Sequence, residues 1–496
     1  DLHSFPTRRS SDLQLAVGLC VPTFATVNQS SANLNVGLKE GKVHNRINSE
    51  KNIIDYEQGN SQSVKAKLEA QVKGILEDND KGRFIVTLKS TMEPNYDNQI
   101  DQSEINSYIK SAQKFINLFI DQIKKDGIDV EIINKYDMLL CGVAVEGKYK
   151  EIKKLAGYSN VDGIAYCIKY QEPKINRTNI VNTKDLSSNE LINLPMLNSK
   201  YKGAGKIVAV IDSGFDYKHP SMRVSDSTAV KIADKPAIES LKYNAQIDYG
   251  EYLSKKIPFA YNYADKNDQI KENSSTSHGM HVAGIIAANS ENASPNGDVI
   301  KGVAPESQIF AMRVFGSGEG TSEDIYVKAM EDAVKLGADS INMSLGSPLG
   351  SINGSLNPVS ETTRDALKAA EKMGIVVAVA AGNEGAFGNG IAFPTVYAPD
   401  YGLVDSPSVA PVAFSVASCN NTLVSSKMLE VKGYNKHIGY AYGTGPMFDD
   451  PSSPMTNFAP LVYCGRGTKE DFKDIGELYN KISEEHTSEL QSPSWI

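Results

Sequence analysis

The sequence predicts an α/β fold over residues 195–420, a parallel sheet with helices on both faces. Three observations carry that expectation. The runs Ile207-Val208-Ala209-Val210-Ile211 and Gly374-Ile375-Val376-Val377-Ala378-Val379-Ala380 are nearly uninterrupted, apolar and rich in β-branched residues, the pattern of central strands covered on both sides. A further strand over 338–347 ends in small residues, and 281–288 reads as a buried helix lined with small side chains. Each apolar run stops at a short polar or glycine-containing turn, where chemistry can sit.

The chain ahead of this region has a different rhythm. Arg83-Phe84-Ile85-Val86-Thr87-Leu88-Lys89 reads as a strand. Residues 104–125 place Ile105, Ile109, Ala112, Ile116, Phe119, Ile120 and Ile123 on one helical face, which Gly127 ends. Strands are expected near 128–133 and 138–145, a short helix at 148–156 and a strand at 161–168. That β-α-β-β-α-β order predicts an α+β ferredoxin-like sandwich over 80–170. The polar, asparagine-rich stretch 171–194 then reads as an exposed linker, the composition at which chains are cut.

Asp212 ends the first apolar strand, and Ser213-Gly214 turns the chain. Open α/β sheets gather ligand chemistry at the carboxyl ends of their strands. Asp212 is therefore placed to orient an imidazole and stabilise its protonated form; alone, it also reads as a cap for the next turn. His278 follows the polar loop Asn273-Ser274-Ser275-Thr276-Ser277 and stands at the mouth of the small-residue helix, where an imidazole can be aimed as a general base. His281 could share a helix face with it, but the HExxH pattern is absent and no clear carboxylate or cysteine ligand is near. The reading is no metal, with His281 structural. Asn383, in the turn Ala381-Gly382-Asn383-Glu384-Gly385, can donate to a developing oxyanion; a lone asparagine there also reads as a left-handed turn residue. Ser344-Leu345-Gly346 leaves backbone groups open, so that an extended peptide could pair there by strand addition.

With VAVIDSG at 208–214, SHGMHVAG at 277–284 and VAVAAGNEG at 377–385, the chain resembles the subtilisin-like serine peptidases over about 195–420, and among them the large cell-envelope, lactocepin-like members. The order of acid before base agrees with that family's Asp…His…Ser order. The resemblance implies a serine endopeptidase in which Asp212 orients, His278 is the base, Asn383 completes the oxyanion hole, and Ser344, Leu345 and Gly346 line the substrate cleft. It implies that 80–170 is an inhibitory propeptide that assists folding, lays its C-terminal tail through the active site and is cut away. No cofactor is required by that chemistry; calcium is frequent in the family, but no ligand cluster for it stands out.

The family's serine sits in a Gly-Thr-Ser-Met-Ala-like turn opening a small apolar helix, and nothing after Asn383 matches it. Gly320-Thr321-Ser322 lies before the Ser344 strand and runs into Glu323-Asp324, so Ser322 reads as the N-cap of a helix reaching about Leu336. Residues 1–13 and 483–496 look like translated adapter oligonucleotide and are set aside. The expectation is a segment, about 14–482, of a longer gene that supplies the nucleophile elsewhere, so that the chain as given is inactive. The alternative is a non-catalytic pseudopeptidase binding module whose serine position holds another residue. Residues 421–482 carry short strands with turns and resemble the start of the protease-associated domain that large relatives insert between the Asn and Ser motifs.

Composition narrows the partners. A net charge of −9 without a basic stripe argues against nucleic acid. Cys20, Cys141, Cys167, Cys419 and Cys464 are scattered and odd in number, giving neither a disulfide framework nor metal spacing. Leu15-Ala16-Val17-Gly18-Leu19-Cys20-Val21-Pro22, within 14–32, is too short to span a membrane and reads as the end of a truncated secretory signal. The expected location is outside the cell or at its envelope, and the expected partners are protein or peptide substrates and the chain's own propeptide. Gly203-Ala204-Gly205-Lys206 precedes its strand, whereas a phosphate loop follows one.

Overall fold

The computed structural model describes residues 63–89, 102–171, 189, 191–198, 201–225, 229–271, 278–290, 301–316, 320–348, 350–352, 359–383, 404–418, 427–429 and 438–440. Contacts divide the chain into two units, one of residues 1–176 and 186–422, the other of 177–185 and 423–496.

The first unit begins with α1 (Val64–Val72), whose N-cap Ser63 accepts the Ala66 N–H at 3.2 Å. Then follow β1 (Lys81–Leu88), α2 (Gln102–Lys125), β2 (Val130–Tyr136), β3 (Gly142–Lys148), α3 (Tyr149–Leu155) and β4 (Val161–Tyr166). The sheet order is β2-β3-β1-β4 with antiparallel neighbours. Gly127, at φ 66°, turns the chain out of α2 through a left-handed conformation open to glycine. Ala112, Ile116, Phe119 and Ile123 of α2 share a core with Phe84, Val86, Val143 and Val145 of the sheet and Ile152 and Leu155 of α3. Ile105 belongs instead to the core of the larger sheet that follows. The strand expected to start at 138 starts at Gly142. Met138, Leu139, Leu140 and Cys141 are apolar because they are buried, yet they form a bend rather than a strand.

The chain continues with β5 (Lys169–Tyr170), α4 (Leu194–Asn198), β6 (Ile207–Asp212), α5 (Lys235–Ala245), β7 (Phe259–Asn262), α6 (His278–Ala287), β8 (Gln308–Arg313), β9 (Thr321–Ser322), α7 (Glu323–Lys335), β10 (Ser340–Met343), α8 (Glu361–Lys372), β11 (Val376–Ala380) and β12 (Phe414–Val416). Its sheet has the order β12-β11-β10-β6-β8-β7, and every neighbouring pair is parallel. β6 is buried along its whole length. Val208 and Val210 join Val282, Ala283 and Ile286 of α6 on one face. Ile207, Ala209 and Ile211 join Met330 and Ala333 of α7 and Ala366, Leu367 and Ala370 of α8 on the other. The two-residue side-chain period of a strand thus explains why β6 reads as continuously apolar.

The smaller sheet docks on α7. Arg83 of β1 bridges Asp324 at 3.3 Å, and the Asn134 amide and Tyr136 hydroxyl donate to the Asp324 carbonyl at 3.1 and 2.8 Å. β5 pairs antiparallel with β9. In the second unit the described residues form one antiparallel pair, β13 (Lys427–Leu429) with β14 (Ile438–Tyr440). Residues 1–32, most of 171–194, most of 421–482, and 483–496 lie outside the described residues.

Candidate active site

Parallel register aligns the ends of three adjacent strands. Ile211 pairs with Met343, and Met343 pairs with Val379, so the chain leaves the sheet along one edge at Asp212, Ser344 and Ala380. Neighbouring strands lie about 4.8 Å apart, which gathers the three motif segments at the carboxyl end of the sheet.

Asp212 is fully buried there and His278 nearly so. The Asp212 Oδ1 stands 2.7 Å from the His278 Nδ1. That same oxygen accepts the Ser213 N–H at 2.7 Å, while Oδ2 has no hydrogen-bond partner. His278 is the first residue of α6, and the next turn fixes its position. Gly279 donates its N–H to the Ser213 Oγ at 3.0 Å. A Cβ on Gly279 would lie 2.9 Å from the Gly214 carbonyl oxygen, so the glycine permits α6 to approach the end of β6. A buried carboxylate on Nδ1 selects the tautomer that leaves the lone pair on Nε2, the arrangement of a general base.

Ser344 and Leu345 are buried and Gly346 is half-buried, just past β10. The Asn342 amide donates to the Ser344 Oγ at 3.1 Å. One step on, Ser347 exchanges two backbone hydrogen bonds with Ser406, at 2.9 and 3.0 Å. Asn383 lies past the end of β11 and is exposed. His281 is exposed on α6. Among the described residues no group of three His, Cys, Asp or Glu side chains is arranged to hold a metal ion. Cys141 and Cys167 are buried free thiols.

Ser322 occupies the N-cap position of α7 but makes no side-chain cap bond; its hydroxyl donates to the Asp324 carboxylate. The larger surprise lies beyond it. Glu323 and Asp324, which the sequence places at the charged start of the helix, and Glu331 and Asp332 further along it are all fully buried. The Glu331 carboxylate accepts the backbone N–H groups of Asp137, Met138 and Leu139 at 3.0, 3.3 and 3.2 Å. Lys335 bridges Asp137 from the same helix. Asp332 takes the Tyr249 and Tyr263 hydroxyls at 2.5 and 3.1 Å and Lys328 at 2.8 Å. Tyr170 is the other residue that sequence reasoning missed: it is carried by β5 and buried against α7. Its only sequence signal was the aromatic at the end of the expected small sandwich.

A buried carboxylate and an imidazole in contact at the carboxyl edge of a parallel sheet form an acid–base pair able to accept and return a proton. The chain belongs to the subtilase family of serine peptidases: residues 203–483 match the Subtilase family, peptidase S8. It is 33% identical over 339 residues to the PIII-type proteinase of Lactococcus lactis subsp. cremoris strain SK11, an alignment covering 66% of this chain and 16% of that protein. It is also 33% identical over 282 residues to the C5a peptidase of Streptococcus pyogenes serotype M3, covering 55% of this chain and 23% of the relative. The chain thus spans under a quarter of the length of these relatives. Among solved structures it is similar to a mutant epidermin leader peptide processing serine protease from Staphylococcus aureus, at 18% identity and a TM-score of 0.42, with 68% of this chain and 70% of that one covered. Among the described residues no helix is long and apolar enough to cross a membrane.

Proposed function

We propose that this domain hydrolyses peptide bonds in protein substrates outside the cell or at its envelope, by acyl transfer to a serine followed by hydrolysis. The observation that carries the reading is the buried 2.7 Å contact between Asp212 and His278 at the sheet's carboxyl edge. His278 Nε2 takes the serine proton as the hydroxyl attacks the scissile carbonyl, then gives it to the leaving amine. Asp212 holds the ring and stabilises the imidazolium between those steps. Asn383 donates to the oxyanion, and Ser344-Leu345-Gly346 aligns the extended substrate. The chemistry so written needs no cofactor.

The smaller sandwich acts as an intramolecular inhibitor in this proposal. Its support is the β5 strand laid along β9 and the burial of α7 beneath the small sheet. In this reading the sandwich blocks the cleft until the linker is cut.

No Gly-Thr-Ser-Met-Ala-like turn follows Asn383 in this sequence, so the acylating serine is the group still to be located. Expression of the full-length gene is the deciding experiment, with peptide cleavage and fluorophosphonate labelling as readouts. Labelling and cleavage that disappear in Asp212→Ala establish the reading. An extended domain that binds peptides yet carries another residue at the serine position makes the scaffold a pseudopeptidase. The 496-residue chain alone is expected to cleave nothing, and cleavage by it that depends on Asp212 would overturn the placement of the nucleophile.

A further inference from the structure

The amino end of the six-stranded sheet, opposite the edge that carries Asp212, takes no part in the acid–base chemistry. Ile207, Ser340 and Val376 open β6, β10 and β11 there. Five strand steps of about 3.3 Å put the start of β6 about 16 Å from Asp212. A groove of about 1770 Å³ runs across this end of the sheet. One wall is α2 of the small sandwich, which contributes Ile109 and Lys110; the other is the sheet end with α5, which contributes Ile232, Leu241 and Tyr243. Ile232 is buried, and Ile109 and Leu241 pack against the same core. The Tyr243 side chain is 84% exposed, a large ring at the rim with most of its surface in water.

Two ammonium groups in this groove share one carboxylate. Lys206 Nζ lies 3.0 Å from the Asp339 Oδ1, and Lys231 Nζ lies 3.0 Å from the Oδ2. Lys242 and Lys335 also line the groove but are answered behind it, by Glu239 and Asp137. Lys110, Lys206 and Lys231 then face Asp248 and Asp339, a surplus of one positive charge in a chain of net charge −9. The helices α5, α7 and α8 all end at this face, and helix carboxyl ends by themselves favour a cation. Here their last carbonyls are taken. Gln246 and Ile247 donate to those of α5, and Gly374 and Ile375 to those of α8. Lys231 donates to the Gly337 carbonyl, just past α7, at 2.8 Å.

We propose that this groove binds an alkyl carboxylate, its head group between Lys206 and Lys231 and its chain along Ile109, Ile232 and Leu241 against the Tyr243 ring. A second carboxylate gives each ammonium its own counter-charge through charge-assisted hydrogen bonds. The chain removes apolar wall and exposed ring from water, as mainly apolar pockets with a few placed polar groups do. An alcohol of the same length supplies the chain without the charge, and an amine sets a third cation beside two. Because the sandwich forms one wall, the occupant binds the docked arrangement and stabilises it by mass action. Binding at this end of the sheet does not depend on the peptidase reading.

Calorimetric titration of the full chain with decanoate, decan-1-ol and decylammonium, each kept below the concentration at which it forms micelles, tests the site. Decanoate is expected to bind at least about tenfold more tightly than either of the others, the scale of one hydrogen bond to a charged group. Lys231→Gln, at a side chain 41% exposed, should weaken decanoate at least about fivefold. Should that variant fail to fold, Lys110→Gln, at an exposed position of α2, takes its place with the same expectation. Decanoate should also slow the proteolytic release of residues 80–170, and decan-1-ol should not. Equal affinity for the three probes, a preference for decylammonium, no binding, or decanoate affinity unmoved by the lysine variant would overturn the proposal. Binding that leaves the release rate unchanged would overturn the placement between two walls. None of these readouts involves Asp212, His278 or peptide cleavage, so the site and the peptidase reading stand or fall separately.

Discussion

Two buried acidic regions lie on opposite faces of β6, and they are buried for different reasons. At the carboxyl edge, Asp212 is enclosed by its own domain and holds one histidine at 2.7 Å. Along α7, Glu323, Asp324, Glu331 and Asp332 are enclosed partly by a separate sandwich, which supplies Arg83, Tyr136 and the bend at Asp137. The first region would survive loss of the sandwich. The second would lose partners for its charges. Burial of a carboxylate thus goes with a single imidazole in one place and a docking contact in the other, and only the identity of the partner separates them.

The sharpest break between the two comes from removing each acid in turn. In an extended protein that carries its serine, Asp212→Ala is expected to lower kcat by about ten-thousand-fold while leaving the fold intact, the scale found when the acid of such a triad is removed. Steady-state cleavage of a peptide beside a melting curve checks both halves. A loss below about tenfold would make Asp212 a structural cap.

Glu331→Ala should act in the opposite sense, on docking rather than chemistry. It removes the acceptor for the N–H groups of Asp137, Met138 and Leu139 and leaves Lys335 beside Asp137 alone. Breaking a buried charge contact of this kind costs roughly 3–5 kcal/mol. Limited proteolysis is expected to release the 80–170 region faster, with Asp212 and His278 undisturbed. Unchanged protection would show that Glu331 is not what holds the sandwich.

This division also accounts for what the sequence disclosed. The strand that carries Asp212 was legible because a strand buried on both faces writes a continuous apolar run, and Asp212 stands where that run stops; His278 stood out at the mouth of a small-residue helix. The α2 stripe from Ala112 to Ile123 was legible for the same reason of period. Met138–Cys141 misled because apolar residues in a buried bend look like a strand. The burial of Glu331 was illegible in principle: a glutamate beneath a docked domain has the same local sequence as one in water, and its backbone partners lie 192 to 194 positions away, whereas Glu323 is met by Tyr326 on its own helix and by Thr363, 40 positions on.

Proton linkage gives a third, smaller separation. Burial raises Glu323 from 4.5 to about 8, so the native chain keeps a proton that the unfolded chain releases. The stabilisation is complete below pH 4.5 and is lost as pH rises through about 8. One proton is worth up to about 1.4 kcal/mol per pH unit, so stability should fall by roughly 2–3 kcal/mol between pH 5 and 7. Burial has the opposite consequence for Lys256, lowered from 10.5 to about 7. Its contribution is present above pH 10.5 and is lost as pH falls through about 7, so it acts mainly above neutrality. Denaturant titrations of the parent and Glu323→Gln across pH 5–7 isolate the carboxyl: the variant's curve should be flatter, and parallel curves would mean that Glu323 is ionised in the native state.

The smallest effect lies at the rim of the same interface. Lys67 of α1 meets Glu361 of α8 at 3.1 Å, with side chains 42% and 57% exposed. This pair links the same two layers as Arg83 and Asp324, yet water screens it, and holding two long side chains in register offsets much of the attraction. Lys67→Ala is expected to change unfolding free energy by less than about 0.5 kcal/mol, a change that vanishes in molar salt. Urea titrations at low and high salt measure it. A cost well above that, persisting in salt, would mean that the rim rather than the buried face of α7 holds the sandwich in place, and Glu331→Ala would then be expected to do little. The two variants therefore decide together whether docking is governed by carboxylates hidden from water or by charges that remain in it.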